Sequence, residues 1–339
     1  MKNKKIYILF LFVLFVLKSN AQQDPQFTQY MYSDLLINPG VAGSAGICAT
    51  GMFRQQWAGF QDTWTDLETG KTTNYSTAPQ QILLTLHAPI KVLHGGLGLS
   101  VSQDKLGYQN DIAAKLAYSF KFNISGGSLG LGIAGDFLSR TVHGSDYHPI
   151  DPGDPVIATS DKSDFYIDLS FGAYYLNPNK WYAGISATHL LTGEGKNTHQ
   201  KTARHYYLYG GYNFALPFNP NWTMKPSAMI KTDFVKAQYD LTVVAEWNNI
   251  VWGGVSWRIA NDAVALLVGA KPFINSSNAI RGLEIGVSYD ITTSKLGYNH
   301  GRSFGGPEIM LKYCFTIIPP TSVYGYQNTR LLGNKPIEY

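Results

Sequence analysis

Charge is what this chain has least of. Only 15% of its 339 residues are Asp, Glu, Lys or Arg, where soluble domains carry about 25%, so something other than water must face much of the surface. Basic clusters are absent too. Four lysines (Lys2, Lys4, Lys5, Lys18) and no acids fall in residues 1–21, which leaves 23 basic residues beyond that point, equal to the 23 acids. That balance removes the electrostatic footprint of a nucleic-acid binder. Beyond residue 21 no window is apolar for the ~18 residues of a spanning helix. Catalytic signatures are missing as well: there is no G-x-S-x-G elbow, no H-E-x-x-H and no G-x-x-x-x-G-K phosphate cradle. Ser186 and His189 stand three apart in an expected strand and so face opposite sides, which argues against a dyad. No enzymatic activity, metal or cofactor is assigned.

The first 21 residues read as a secretory signal: a basic start, an apolar core over 6–17, and Ser19-Asn20-Ala21 as a small-x-small cleavage site. Gln22, not a cysteine, stands directly after that site, which argues against a lipid anchor of the bacterial lipoprotein kind. What the exported chain does have is glycine (34), tyrosine (22) and phenylalanine (17). A chain that meets lipid without spanning helices has one other solution, a closed β-barrel in which every backbone N–H and C=O pairs between strands.

A barrel requires apolar residues at every second position. Ile112, Ala114, Leu116, Tyr118, Phe120 and Phe122 alternate with Asp111, Ala113, Lys115, Ala117, Ser119 and Lys121. Phe165, Ile167, Leu169 and Phe171 alternate with Tyr166, Asp168, Ser170 and Gly172, and Ile309, Leu311, Tyr313 and Phe315 with Glu308, Met310, Lys312 and Cys314. A soluble sandwich or lipocalin-like barrel also alternates, but it turns its apolar face inward and its charges outward. The Gly, Ser and Ala at the alternate positions here favour an all-β transmembrane antiparallel barrel.

Turn signals divide it into about fourteen strands, near 46–57, 79–88, 95–104, 109–122, 127–140, 164–176, 180–191, 203–216, 222–234, 238–248, 251–259, 263–271, 281–291 and 307–316. An even count puts both termini on the periplasmic side, and the connections then sort into short periplasmic turns and long outer loops, with 272–279 the one long turn on the wrong side. The domain plan is a signal peptide (1–21), an N-terminal segment (22–45), the barrel (46–316) and a periplasmic tail (317–339). Strand parity turns Arg54, Lys115, Lys121, Asp136, Asp168, Asp240, Glu246, Glu284, Glu308 and Lys312 into the lumen, a mixed set suited to ion pairs rather than a selectivity ring. Trp57, Trp181, Trp222, Trp247, Trp252 and Trp257 are candidates for interfacial girdles.

Two further features carry chemistry. Cys48 and Cys314 fall in the first and last strands, which become neighbours when a barrel closes. Either a disulfide crosses that seam, or both are small buried thiols, and the strain of cross-strand bridges favours the thiols. His143, Asp146, His148, Asp151 and Asp154 have oxygen and imidazole ligands at short spacing. They read better as a Pro-rich outer loop whose aspartates bond local backbone.

The segment behind the signal, "QQDPQFTQYMYSDLLINPGVAG", has too many turn formers for a helix and too much aromatic and amide for a linker. Asp24, Pro25, Gln26, Phe27, Gln29 and Tyr30, then Asn38-Pro39-Gly40 and Ala42-Gly43, resemble the amino-terminal signature of the PorP/SprF family of Bacteroidetes outer-membrane proteins. Arg54, Gln56, Trp57 and Gly59, His87-Ala88-Pro89, the glycines of 95–98, Pro307-Glu308-Ile309-Met310-Leu311 and Asn328-Thr329-Arg330 extend the likeness over nearly the whole exported chain; 333–339 depart from it. The resemblance implies a barrel with no known enzyme activity, sitting in outer-membrane lipid as a membrane partner of type IX secretion or gliding. Some members of that family help assemble the machinery and others help export or retain a surface adhesin through the adhesin's C-terminal domain, and the resemblance does not choose between these branches. The rival reading is a transporter with a ligand-holding lumen and an amino-terminal hatch, like the fatty-acid transporters. Either the N-terminal segment folds into the lumen as a plug or it emerges into the periplasm; Asn38-Pro39-Gly40, able to turn the chain straight into the first strand, favours the plug.

Overall fold

The computed structural model describes residues 24–65, 69–124, 126–146, 160–178, 180–198, 200–259, 263–276, 279–293 and 303–315. The signal peptide, Gln22, Gln23, His148, Asp151, Asp154 and the tail from 316 onward lie outside them.

Three single turns come first: 3₁₀ turns at Tyr30–Tyr32 and Pro39–Val41 flank a short α-helix, Asp34–Ile37. The strands are β1 (Ile47–Gln55), β2 (Gln61–Thr65), β3 (Thr72–Ser76), β4 (Gln80–Ile90), β5 (Gly95–Leu106), β6 (Gln109–Ile124), β7 (Gly127–Val142), β8 (Lys162–Asn177), β9 (Trp181–Thr188), β10 (His205–Tyr212), β11 (Phe214–Leu216), β12 (Asn219–Thr232), β13 (Ala237–Trp247), β14 (Val251–Ile259), β15 (Ala263–Ala270), β16 (Leu283–Thr292) and β17 (Gly306–Phe315). β2 and β3 form a separate hairpin in the loop after β1. β11 continues β10 past Asn213, since both pair with β12. The rest is one antiparallel sheet whose first strand pairs with β4 on one edge and β17 on the other, which closes a fourteen-stranded barrel.

Side chains follow the period of two. Leu116 (58% exposed), Ile167 (60%) and Leu311 (50%) face outward, while their strand neighbours Lys115, Asp168 and Met310 are buried. Exposed apolar residues recur on every long strand, so the belt is continuous around the wall, as lipid requires. Trp181, Trp222 and Trp247 are exposed beside short turns, as girdle residues are. Trp252 is not: its place in β14 has inward parity, and it is buried with its indole N–H donating to Glu284 at 2.9 Å.

Turn chemistry fixes the short end. Asn248 and Asn249 both adopt positive φ (49° and 57°) in the three-residue connection between β13 and β14, where Ile250 N–H donates back to Trp247 O at 2.9 Å. Both barrel termini share this end, so it is taken as periplasmic. Cys48 and Cys314 stand opposite each other in the β1–β17 ladder and are joined by a disulfide, with Cα atoms 4.1 Å apart.

Candidate functional site: the N-terminal segment against the barrel wall

Residues 24–43 are too short to form a sheet or long helix of their own, so their backbone groups need partners elsewhere. The inward face of the barrel supplies them. At the periplasmic end, Asn38 caps the Pro39 turn by accepting from Gly40 N–H (2.8 Å) and donates to Ala173 O (3.0 Å). Ser119 Oγ (3.0 Å) and Lys121 Nζ (2.8 Å) donate to Gly40 O, and Gly43 N–H donates to His87 Nδ1 at 3.2 Å. The wall is thinned to receive this turn. A Cβ on Gly132 would collide with Pro39 and Gly40, and one on Gly172 with the Asn38 amide.

Midway, Lys115 Nζ donates to Leu36 O at 2.7 Å, Tyr30 hydrogen-bonds Ser227 at 2.8 Å, and Tyr32 donates to Glu284 at 2.6 Å while stacking on Trp252. Phe27, Tyr30, Leu35, Ile37 and Val41 pack with Met52, Leu83, Tyr207, Tyr209 and Met310 in one apolar cluster. The barrel interior therefore has a core, and the segment supplies a large part of it.

Nearer the outer end, one carboxylate holds two backbone groups: Thr28 and Gln29 N–H donate to Glu308 at 2.7 and 2.9 Å. Thr28 Oγ1 donates to Asp290 (2.6 Å) and accepts from Arg258 (3.2 Å), and Arg54 pairs with Asp290 at 2.5 Å and donates to Gln26 O. Gln26 also shares amide hydrogen bonds with Gln238 (2.9 Å). Asp24 receives the Tyr207 hydroxyl (2.6 Å) and Thr188 Oγ1 (3.2 Å), and it pairs with His189 Nε2 at 2.7 Å. His189 Nδ1 lies 3.3 Å from Asp168, and Lys231 Nζ donates to Asp24 O at 3.2 Å. Burial alone would push the Asp24 carboxyl up; the His189 charge, helped by His205 and Lys231, outweighs it and holds the group well below its usual range. Burial works against the His189 cation, yet its two carboxylate partners raise it to about 10.

Asp24, Pro25, Gln26, Phe27, Gln29, Tyr30, Asn38, Pro39 and Gly43 thus all lie along one cradle, spread from its outer to its periplasmic end. The expected inward charges surround them: Arg54, Lys115, Lys121, Glu284 and Glu308 bond the segment directly, and Lys312 sits over the Tyr32 ring at 5.4 Å. Arg258 and Asp290 were not singled out in the sequence, although their even positions share the inward parity of Trp252 and Glu284. Strict alternation makes His189 a strand residue that faces away from Ser186. It lies one residue past β9 with φ 56°, which turns its ring to Asp24. Of the loop cluster, His143 bonds Asp161 at 3.1 Å, and no metal-holding group of His, Cys, Asp and Glu occurs among the described residues.

A family model described as type IX secretion system membrane protein PorP/SprF matches residues 19–313. The chain belongs to the PorP/SprF family. With the closed barrel and its apolar belt, this membership makes the chain an outer-membrane protein of type IX secretion. No curated protein sequence matches it. Among solved structures it is similar to the toluene transporter TbuX of Ralstonia pickettii at 10% identity, covering 84% of this chain and 94% of that one with a TM-score of 0.45. Omp33 of Acinetobacter baumannii matches at 6% identity over 80% and 99% (TM-score 0.43). A FadL homologue of Pseudomonas aeruginosa matches at 13% over 82% and 93% (TM-score 0.40).

Proposed function

We propose that this PorP/SprF barrel works by binding: it anchors a component of type IX secretion or gliding at the outer membrane, docking either the secretion machinery or the C-terminal domain of a surface adhesin. No bond chemistry is involved in this reading. The observation that supports it is the N-terminal segment, whose bonds reach opposite walls of the lumen, from Ala173 to Glu308, as those of a plug would. A barrel filled by its own chain has its loops and turns left as working surfaces.

Purification of the protein from native outer membranes, with identification of what accompanies it, tests this directly. Stoichiometric recovery of secretion or gliding proteins, and failure of adhesin export on deletion, is the expected result. Unimpaired adhesin export on deletion, together with lost uptake of a hydrophobic compound, would establish the transporter reading instead. The cavity beside the segment is the feature such a transporter would use.

A further inference from the structure

The outer loop between β9 and β10 does not stand up from the rim; it folds into the barrel mouth. Positive φ at His189 and Thr192 (56° and 49°) turns the chain. Gly195 N–H then donates to Gln200 O (2.8 Å) and Thr202 N–H to Gly193 O (3.0 Å), which closes a small hairpin. The hairpin lies on the inward face of β8, where Asp164 accepts from the N–H groups of Lys196 (2.9 Å) and Thr198 (2.7 Å) and the Tyr166 hydroxyl donates to Gln200 O (3.1 Å). At the loop's base His189, Thr202 and Ala203 line a cavity of about 840 Å³, its open mouth included, together with Asp24 and Pro25 of the N-terminal segment.

One carboxylate gathers both ends of this loop. Asp168 accepts from Leu191 N–H (2.8 Å) and from Thr202 Oγ1 (3.4 Å), and it faces His189 Nδ1 at 3.3 Å. The other nitrogen of that ring, Nε2, is 2.7 Å from Asp24. Contacts therefore run without a break from the segment through Asp24, His189 and Asp168 into the loop. Asp24 also accepts from Thr188, the last residue of β9, and from Tyr207, and both of these residues are buried. Taking Asp24 away would leave His189 with one carboxylate where it has two, and would leave two buried hydroxyls without their acceptor, which is costly. Water entering to satisfy them would enter at the base of the loop. The segment is gripped at the periplasmic end by its Asn38–Gly43 turn, so a displacement there is carried along the lumen to Asp24.

We propose that the loop over 189–204, of which 199 lies outside the described residues, is a lid latched by Asp24: the N-terminal segment holds it folded in the mouth, and withdrawal of the segment toward the periplasm releases it to the outer surface. The proposal rests on the segment being the plug of the reading above, and it makes one outer working surface depend on where that plug is. The test is amide exchange of the full-length protein in detergent, followed over 190–203. Asp24→Asn, which keeps the shape of the side chain and removes its charge, should speed exchange there by about tenfold or more, while exchange across 34–41 stays slow. By reciprocity His189→Ala should loosen 24–30 as well as the lid. Ser227→Ala, which removes the Tyr30 hydrogen bond and touches no loop residue, is the control and should leave the lid unchanged. Heat-modifiable electrophoretic mobility shows that each variant is a folded barrel. Lid exchange that is unchanged in folded Asp24→Asn and in a barrel lacking 22–32, or that rises equally in Ser227→Ala, overturns the latch and leaves the plug standing. Rapid exchange across 24–43 in the native protein removes the plug, and the latch with it.

Discussion

At the scale of single residues, the segment is held by charges whose balance depends on pH. Asp34, enclosed in the lumen, has its carboxyl raised by burial to about 6, against the opposing pull of Lys312. A carboxyl whose value is raised on docking favours the docked state when protonated, so its contribution is full below about 4 and is lost as pH rises through 6. Asp34→Asn should remove that dependence. Amide exchange across 34–41 at pH 8 should slow by up to ~100-fold relative to the native chain, with no difference at pH 4. His189 runs over another range: with its value raised to about 10, its hold on Asp24 persists through neutral pH and is lost only as pH rises through 10. Gly172 sits against the Asn38 amide with no room for a Cβ. Gly172→Val should leave the barrel folded but displace the Pro39 turn, read as protease cleavage within 24–43 that the native chain resists.

At the scale of elements, each strand presents two chemistries, and substitutions should report which side they are on. Leu116 is exposed near the middle of β6. Leu116→Lys should cost about 2–4 kcal/mol of barrel stability in lipid if that face meets the bilayer core, whereas the same change on a water-facing surface would be nearly neutral. Urea unfolding from vesicles distinguishes the two. The strands were legible because their pattern is local: alternation and turn residues placed all fourteen, with β8 and β17 following the stated parity. The partners of the N-terminal segment were not legible. Thr28 and Glu308 are separated by 280 positions, and nothing near either names the other. His189 escaped for a different reason, because a positive φ just past a strand end reverses a side chain that strict alternation would send elsewhere. The Cys48–Cys314 pairing lies between these cases. Barrel closure placed both in neighbouring strands, but the strain assigned to a cross-strand bridge pointed to free thiols; in the fold the two sit in direct register.

For the whole molecule, the apolar belt outside and the apolar cluster inside are separated by one layer of backbone. The inner cluster draws on the N-terminal segment, so removing that segment strips the lumen of its core while leaving the ladder, which pairs only strand to strand, in place. That separation makes the account testable in a single comparison of planar-bilayer conductance between the full-length barrel and one lacking residues 22–32. A native barrel that is closed, beside a deletion that opens a steady pore, is the expected result. A native barrel that conducts as freely as the deletion would contradict it, because the segment would then not be what closes the lumen.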